Sequence, residues 1–268
     1  MRAMKTYAIV NKKGGVGKTT TAVNLAYILA TSCKKRVLLV DADPQGNASR
    51  IVNIPNDCGL SSLLYFGGIE YYPDIIDHTD VPGLDLLPCG KDLDELDFAC
   101  MLGQRKAGEY LDVLRSLLSV LEEDDEYDIV LIDCPPNLAG LGCLNALRAA
   151  DRLIIPTDAS AYSGTGMSDL LNQMRLLRGS FPALEVSGAL ITRVRKSDVS
   201  EDAEAFLREN APCHVYQTVI RASDEKVTES TWAGMPTQSW SPWCSTSRDY
   251  RTWAAEFLKR EGLDDGTV

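Results

Sequence analysis

A glycine-rich loop near the N-terminus constrains the fold of this chain more than any other feature. The segment AIVNKKGGVGKTTTAVNLA, residues 8–26, places a short apolar strand before the glycines and a helical pattern after them. Glycines let backbone N–H groups approach a phosphate, and the start of a helix adds partial positive charge. A glycine turn that only caps a helix is the alternative. The predicted nucleotide site comprises Gly14, Gly15, Val16, Gly17, Lys18, Thr19 and Thr20.

Three of these residues have distinct expected roles. In loops of this pattern Lys18 reaches the β- and γ-phosphates, and the Thr19 hydroxyl ligates Mg²⁺. Thr20 is placed to add a further phosphate contact. The loop therefore predicts that the chain binds a nucleoside triphosphate together with a magnesium ion.

Apolar strand-like runs alternate with helical runs along the rest of the chain. Strands are predicted at 6–11, 36–43, 84–90, 127–136, 152–157, 186–194 and 213–220. Helices are predicted from residue 18 and at 93–102, 108–121, 138–149, 166–178, 199–210 and 248–260. Strands joined through helices favour an α/β fold, a mostly parallel twisted sheet flanked by helices on both faces. Since no linker marks a boundary, residues 1–268 are expected to form a single domain.

Composition excludes several classes of protein and site. The chain has no run of eighteen apolar residues and no signal peptide, so a cytoplasmic protein is expected. The formal net charge of −11 argues against a surface that coats nucleic acid throughout, but it leaves a local basic patch open. Eight scattered cysteines without a C-x-x-C pair, and two histidines, lack the spacing of a zinc or iron–sulfur site.

Two lysines, rather than one, accompany the glycines. In the common loop G-x-x-x-x-G-K-[ST] a glycine stands where this chain has Lys12, and Lys13 follows. The resulting K-G-G-V-G-K-T resembles the deviant Walker A motif of the ParA/MinD family of P-loop ATPases. That resemblance implies that Lys13 reaches across a dimer interface to the phosphates bound by the other subunit. Local chemistry agrees, because a second cation can neutralise charge developing on the β- and γ-phosphate oxygens; a solvated loop lysine is the alternative.

Carboxylates end two of the predicted strands, where ligands of open α/β sheets bind. IVLIDCPP has the form of a Walker B strand, so Asp133 should hold Mg²⁺ through a water molecule. VDADPQGNAS resembles the switch I segment of the family, which implies that Asp43 orients the attacking water and that Asp41 supports the metal site. Taken alone, an aspartate at a strand end is equally a helix cap or a turn former.

Resemblance to the family is close over about the first 160 residues and looser beyond them. It implies nonspecific DNA binding by the ATP dimer through basic residues of the C-terminal half. The candidates at comparable positions are Arg195, Lys196, Lys226, Arg248 and Arg251, each of which taken alone is more often a surface charge. The four tryptophans, at 232, 240, 243 and 253, predict a packed C-terminal subregion in preference to a partner surface.

The resemblance favours a DNA-partitioning ATPase whose cofactors are ATP and Mg²⁺. It implies slow hydrolysis, a homodimer formed on ATP binding, nonspecific nucleoid DNA and a stimulating ParB-like protein as partners, and no membrane. A MinD-like membrane switch is one alternative, but the tail WAAEFLKREGLDDGTV ends in an acidic stretch instead of a basic amphipathic helix. A metabolic synthetase with the same loop and an iron–sulfur reductase of related fold are the others, and neither has a legible substrate or cluster site.

Overall fold

A mostly parallel sheet lies at the centre of the chain. The computed structural model describes residues 4–55, 57–66, 73–158, 172, 175–177 and 179–264. Their strands are β1 (Lys5–Ile9), β2 (Val37–Asp41), β3 (Asp77–His78), β4 (Leu84–Leu87), β5 (Ile129–Asp133), β6 (Arg152–Asp158) and β7 (Glu185–Thr192). The order across the sheet is β3-β4-β2-β5-β1-β6-β7, and every pair is parallel except β3 with β4. The prediction of an α/β fold with a mostly parallel sheet is confirmed.

Helices cover both faces of this sheet. They are α1 (Lys18–Thr31), α2 (Asn47–Ile51), α3 (Leu60–Phe66), α4 (Leu93–Met101), α5 (Val113–Glu123), α6 (Leu141–Ala149), α7 (Asp198–Asn210), α8 (Asp224–Trp232), α9 (Thr237–Trp240) and α10 (Ser245–Glu261), with a 3-10 turn at Ala107–Tyr110. The helix predicted at 166–178 lies largely outside the described residues. Within the described part of the chain, no helix combines the length and the apolar character needed to cross a membrane.

Burial on both faces explains why the strands read as continuous apolar runs. Successive side chains of a strand point to opposite faces of the sheet. In β2, Leu38 and Val40 join an apolar cluster with α3 to α6, whereas Val37 and Leu39 join a second cluster with α1, α2 and α10. Each face therefore has its own core, and the helices of each face hold the strand ends in place.

The parallel register brings the carboxyl ends of three strands together. Asp133, the last residue of β5, lies beside Asp41 at the end of β2 and beside Ile9 at the end of β1. The chain leaves β1 through the glycine loop. This topology therefore places the glycine loop, Asp41 and Asp133 together at the same edge of the sheet.

The prediction of a strand at 213–220 is wrong. Only isolated bridges, such as Ala189 with Val215, connect this segment to β7. Main-chain hydrogen bonds join residues 214, 216 and 220 to β7. Between them side chains bind the backbone: Glu256 accepts from the N–H groups of residues 217 and 218, at 2.6 and 2.9 Å, and Arg208 donates to the carbonyl oxygens of residues 216 and 217, at 2.9 and 3.0 Å. A continuous strand ladder is therefore interrupted at residues 216–218.

The tryptophans separate into one core residue and three surface residues. Trp253 is fully buried in α10. Trp232 and Trp243 are 87% and 81% exposed, and Trp240 is also exposed. The preference for core packing is therefore correct for Trp253 and wrong for the other three.

Candidate active site

The glycine loop joins the end of β1 to the start of α1. Gly15 and Gly17 have φ angles of 74° and 84°, in the left-handed region that favours glycine. Lys18, the first residue of α1, is only 7% exposed, and its Nζ donates to the carbonyl oxygen of Lys13 at 3.4 Å. The loop thus has the shape of a P-loop, with a buried cation at its base.

Side chains from the neighbouring segments hold this loop in shape. Asn11 donates from Nδ2 to the carbonyl oxygen of Pro156 at 2.8 Å, and its Oδ1 accepts from the N–H of Lys13 at 2.9 Å. From the end of β7, the Thr192 hydroxyl donates to the carbonyl oxygen of Val16 at 2.8 Å. The loop is therefore tied to β6 and to β7 before any ligand is bound.

The second lysine of the motif lies at the rim of the loop. The Lys13 side chain is 47% exposed, and its Nζ lies 3.1 Å from Oδ1 of Asp158, at the end of β6. The ammonium of Lys18, by contrast, is enclosed. The two lysines thus differ in exposure and in partners, with one built into the loop and the other in a surface ion pair beside it.

Asp41 is buried and engaged by groups of its own chain. Its Oδ2 accepts from the N–H and the hydroxyl of Ser49 at 2.9 and 2.8 Å, and its Oδ1 accepts from the N–H of Asp43 at 3.2 Å. Burial raises the pKa of Asp41 to about 6, and these hydrogen bonds oppose the shift. Asp41 therefore fixes the turn that carries Asp43, and its support of the metal site stays a prediction.

Asp133 is buried beside Asp41, and neither of its side-chain oxygens has a hydrogen-bond partner among the described residues. Burial and then the neighbouring carboxylate of Asp41 raise the pKa of Asp133 well above its usual value, and the nearby Thr19 hydroxyl and Lys18 oppose this shift. A buried carboxylate so weakly compensated is unfavourable unless a cation or its water shell lies against it. Asp133 therefore fits a role as a Mg²⁺ ligand, with the hydroxyl of Thr19 as the other candidate from this chain.

No group of three or more His, Cys, Asp or Glu side chains in the described ranges could hold a metal ion. A magnesium ion at Asp133 and Thr19 would therefore need further oxygen ligands, and phosphate oxygens and water are the ones it prefers.

A cavity of about 660 Å³ opens beside the loop. The loop residues and Asp43 line one side, and Oδ1 of Asp43 accepts from the N–H of Gln45 at 3.0 Å. The opposite side is formed by residues 220–224, 227 and 228 and by Tyr250, whose hydroxyl lies 2.9 Å from that of Thr21. A cavity of this size accommodates a nucleotide with its phosphates at the loop.

Sequence reasoning missed several residues that line this cavity. They are Gln45, Asn47, Thr192, Arg193 and residues 220–224, 227 and 228. Gln45 and Asn47 belong to the quoted switch I segment and could have been found there. The signal for Thr192 and Arg193 is their position at and just after the end of β7, on the same edge of the sheet as the loop.

The candidate DNA-binding residues near α8 are paired with carboxylates. Arg195 forms an ion pair with Asp224, and Nζ of Lys226 lies 2.9 Å from a carboxylate oxygen of Glu229. These pairs reduce the positive charge that either side chain presents to a phosphate backbone.

The remaining candidates differ in how they are oriented. Arg251 donates to Oε1 of Gln238 and to the carbonyl oxygen of Pro242, at 2.9 and 2.8 Å, so its guanidinium serves the packing of its own chain. Lys196 and Arg248 are exposed. The five candidates therefore do not contribute equally to a basic surface.

Comparison with known proteins agrees with the fold and the loop. The structure described as cobyrinic acid a,c-diamide synthase from Mycobacterium smegmatis, with bound ATP analogue and magnesium, matches with a TM-score of 0.76 and 27% identity, over 97% of this chain and 96% of that one. A family profile described as an AAA domain matches residues 4–185.

Curated relatives extend the similarity over nearly the whole chain. The chromosome partitioning protein ParA of Caulobacter vibrioides (strain NA1000 / CB15N) is 36% identical over 261 residues, 96% of this chain and 95% of that protein. The chromosome-partitioning ATPase Soj of Treponema pallidum (strain Nichols) is 32% identical over 260 residues, 96% of this chain and 98% of that protein. With the P-loop and the strand-end carboxylates in place, these similarities show that the chain belongs to the ParA/Soj family of P-loop ATPases.

Proposed function

We propose that residues 1–268 form one Mg²⁺-dependent ATPase domain that dimerises when ATP is bound and binds DNA nonspecifically as the dimer. Hydrolysis is slow until a ParB-like partner protein stimulates it, and it then releases the DNA. The protein acts on nucleoid DNA in the cytoplasm, in the partitioning of a plasmid, chromosome or mobile element. Relatives described as chromosome partitioning proteins support this proposal.

The different environments of the two loop lysines carry the proposal. Lys18 is buried and held by the loop, as a residue that binds its own nucleotide must be. Lys13 is half exposed beside the same loop, in a surface ion pair of the kind that contributes little to stability. Lys13 can therefore leave Asp158 at low cost and place its charge on a nucleotide held by another subunit.

The groups of this chain divide the proposed reaction among them. The loop N–H groups and Lys18 bind the phosphates, and Thr19 with Asp133 holds the ion. Bound Mg²⁺ neutralises charge on the phosphate oxygens. Asp43, fixed at the cavity edge by the Gln45 N–H, orients the attacking water, and Lys13 of the second subunit stabilises the charge that develops.

DNA binding by this chain requires a local surface, because its net charge is −11. Lys196 and Arg248 are the exposed candidates, and Arg195 and Lys226 can contribute when their carboxylate partners are displaced. A dimer carries twice as many of these cations as a monomer, so dimerisation on ATP binding would raise the affinity for DNA.

Binding to nonspecific duplex DNA with ATP, ADP or no nucleotide, over a series of salt concentrations, tests the proposal. We expect the protein to bind DNA in the presence of ATP but not with ADP or without nucleotide, and the affinity should fall as the salt concentration rises. Asp43→Ala should still form the ATP dimer and bind DNA, but it should hydrolyse ATP slowly. Lys18→Ala should lose dimerisation and DNA binding, because it no longer binds the nucleotide. ATP-independent DNA binding, or a monomer in the presence of a nonhydrolysable ATP analogue, would contradict the proposal.

A P-loop synthetase is the second candidate, because the synthase from Mycobacterium smegmatis shares the fold at 27% identity. In that case ATP turnover would depend on a carboxylate substrate and would not respond to DNA. A MinD-like switch would instead show ATP-dependent binding to anionic liposomes. The same nucleotide series, repeated with liposomes in place of DNA, separates the membrane alternative.

A further inference from the structure

Arg193, the residue directly after β7, has an unusual backbone conformation. Its φ angle is 56°, in the left-handed region that a bulky side chain rarely adopts. Such a conformation persists where the surrounding structure holds it, and it often lies at functional sites. The contacts of the side chain show what this conformation achieves here.

The guanidinium of Arg193 bridges the two sides of the nucleotide cavity. Its NH1 donates to the carbonyl oxygen of Gly15 in the P-loop at 2.8 Å, and its NH2 lies 3.7 Å from Oδ1 of Asp224, the first residue of α8. Arg193 itself lines the cavity, as do Gly15 and Asp224. One side chain thus binds the phosphate side of the cavity and lies close to the side that includes Asp224.

The preceding residue strengthens this connection. The Thr192 hydroxyl donates to the carbonyl oxygen of Val16, so the end of β7 binds two consecutive carbonyl groups of the loop. A peptide whose carbonyl is held cannot rotate freely, and the N–H groups of the loop therefore keep one set of directions. Binding of phosphate to N–H groups that are already oriented avoids part of the entropy loss on binding.

We propose that Arg193 is a positioning residue for nucleotide binding, acting within its own subunit. It holds the P-loop in its phosphate-binding shape through Gly15, and it also lies near Asp224 on the opposite side of the cavity, where Arg195 is the closer partner of that carboxylate. This inference rests on the proposed function of ATP binding. Because Arg193 acts on the loop as a whole, it affects ATP and ADP alike, in contrast to Lys13, which acts between subunits.

Four variants of Arg193 separate this role from its alternatives. Arg193→Ala should weaken ATP and ADP binding by about tenfold, the loss of one hydrogen bond from a charged donor, and should raise KM more than it lowers kcat. Arg193→Lys keeps a charged donor and should recover part of the affinity, whereas Arg193→Gln keeps a neutral donor and should recover less. Arg193→Gly removes the left-handed strain as well, so it should be more stable than Arg193→Ala but bind nucleotide equally weakly.

The readouts are nucleotide affinity by calorimetry, hydrogen exchange of the loop amides, and thermal unfolding. The matched control is Arg148→Ala. Arg148 lies on α6, outside the cavity lining, and is paired with Asp112, so this variant should leave nucleotide affinity unchanged. Wild-type affinity in Arg193→Ala, or its recovery in Arg193→Gly, would overturn the inference while leaving the proposed function intact. A wild-type protein that binds no ATP would overturn both.

Discussion

Replacing Asp158 by asparagine removes the ionic part of the contact that holds Lys13 in its own subunit. The Lys13 Nζ lies 3.1 Å from Oδ1 of Asp158, and the asparagine oxygen can still accept this hydrogen bond. The substitution therefore changes charge and leaves shape nearly unaltered. In the proposed dimer Lys13 leaves this partner to reach the second subunit, so the variant should dimerise more tightly with bound ATP.

The exposure of the pair sets the size of the effect. The Lys13 side chain is 47% exposed and that of Asp158 is 14% exposed, so water screens the attraction on one side. Such pairs contribute about 0.2–1 kcal/mol each. Two pairs break when a dimer forms, which gives a total of roughly 0.5–2 kcal/mol, or about 2- to 30-fold in the dimer Kd.

Sedimentation velocity with a nonhydrolysable ATP analogue measures this Kd. The difference between wild type and Asp158→Asn should be largest at low ionic strength and should vanish near 1 M salt, where the screening length is about 3 Å. Asp112→Asn, which alters the surface pair with Arg148, should leave the dimer Kd unchanged. Equal dimer Kd values for wild type and Asp158→Asn at low salt would refute the view that this pair restrains Lys13.

Further predictions concern the loop, the metal ligand and the last helix. Lys18→Ala should abolish ATP binding in calorimetry, because the buried cation of the loop is lost. Asp133→Asn should weaken Mg²⁺-dependent ATP binding at least tenfold. It should also raise the free energy of unfolding of the nucleotide-free protein by about 1 kcal/mol, because it removes a buried carboxyl group next to that of Asp41; a loss of stability in urea would contradict this. Glu261→Ala should lower the free energy of unfolding by about 3 kcal/mol, since this buried carboxylate accepts from Arg152 at 2.8 Å. Glu185→Ala, which removes the exposed partner of the same arginine, should change it by less than about 0.5 kcal/mol.

The sheet and the loop could be predicted from sequence because each leaves a local signature. Parallel strands buried on both faces read as apolar runs, and β2 and β5 also end in the expected aspartates. The glycines of the loop follow from local backbone geometry, as the φ angles of Gly15 and Gly17 show. These features depend on residues that are close together in the chain.

Features that depend on distant residues could not be predicted in this way. The pattern at 213–220 resembles a strand, but Arg208 and Glu256 bind backbone groups at residues 216–218 and interrupt its pairing with β7. Helix α8 has one buried side chain, Ser230, and so lacks the apolar stripe by which helices are recognised. Arg193 meets Gly15 across 178 positions of sequence, and nothing in its immediate neighbours indicates that contact.

Position 13 supports its neighbour through the main chain and not through the side chain. The ammonium of Lys18 rests on the carbonyl oxygen of Lys13, a group that every amino acid supplies. Truncation of the Lys13 side chain should therefore leave nucleotide binding intact, whereas the proposed contact with a second subunit would be lost. A substitution at this one position would then change association of the subunits without changing nucleotide binding.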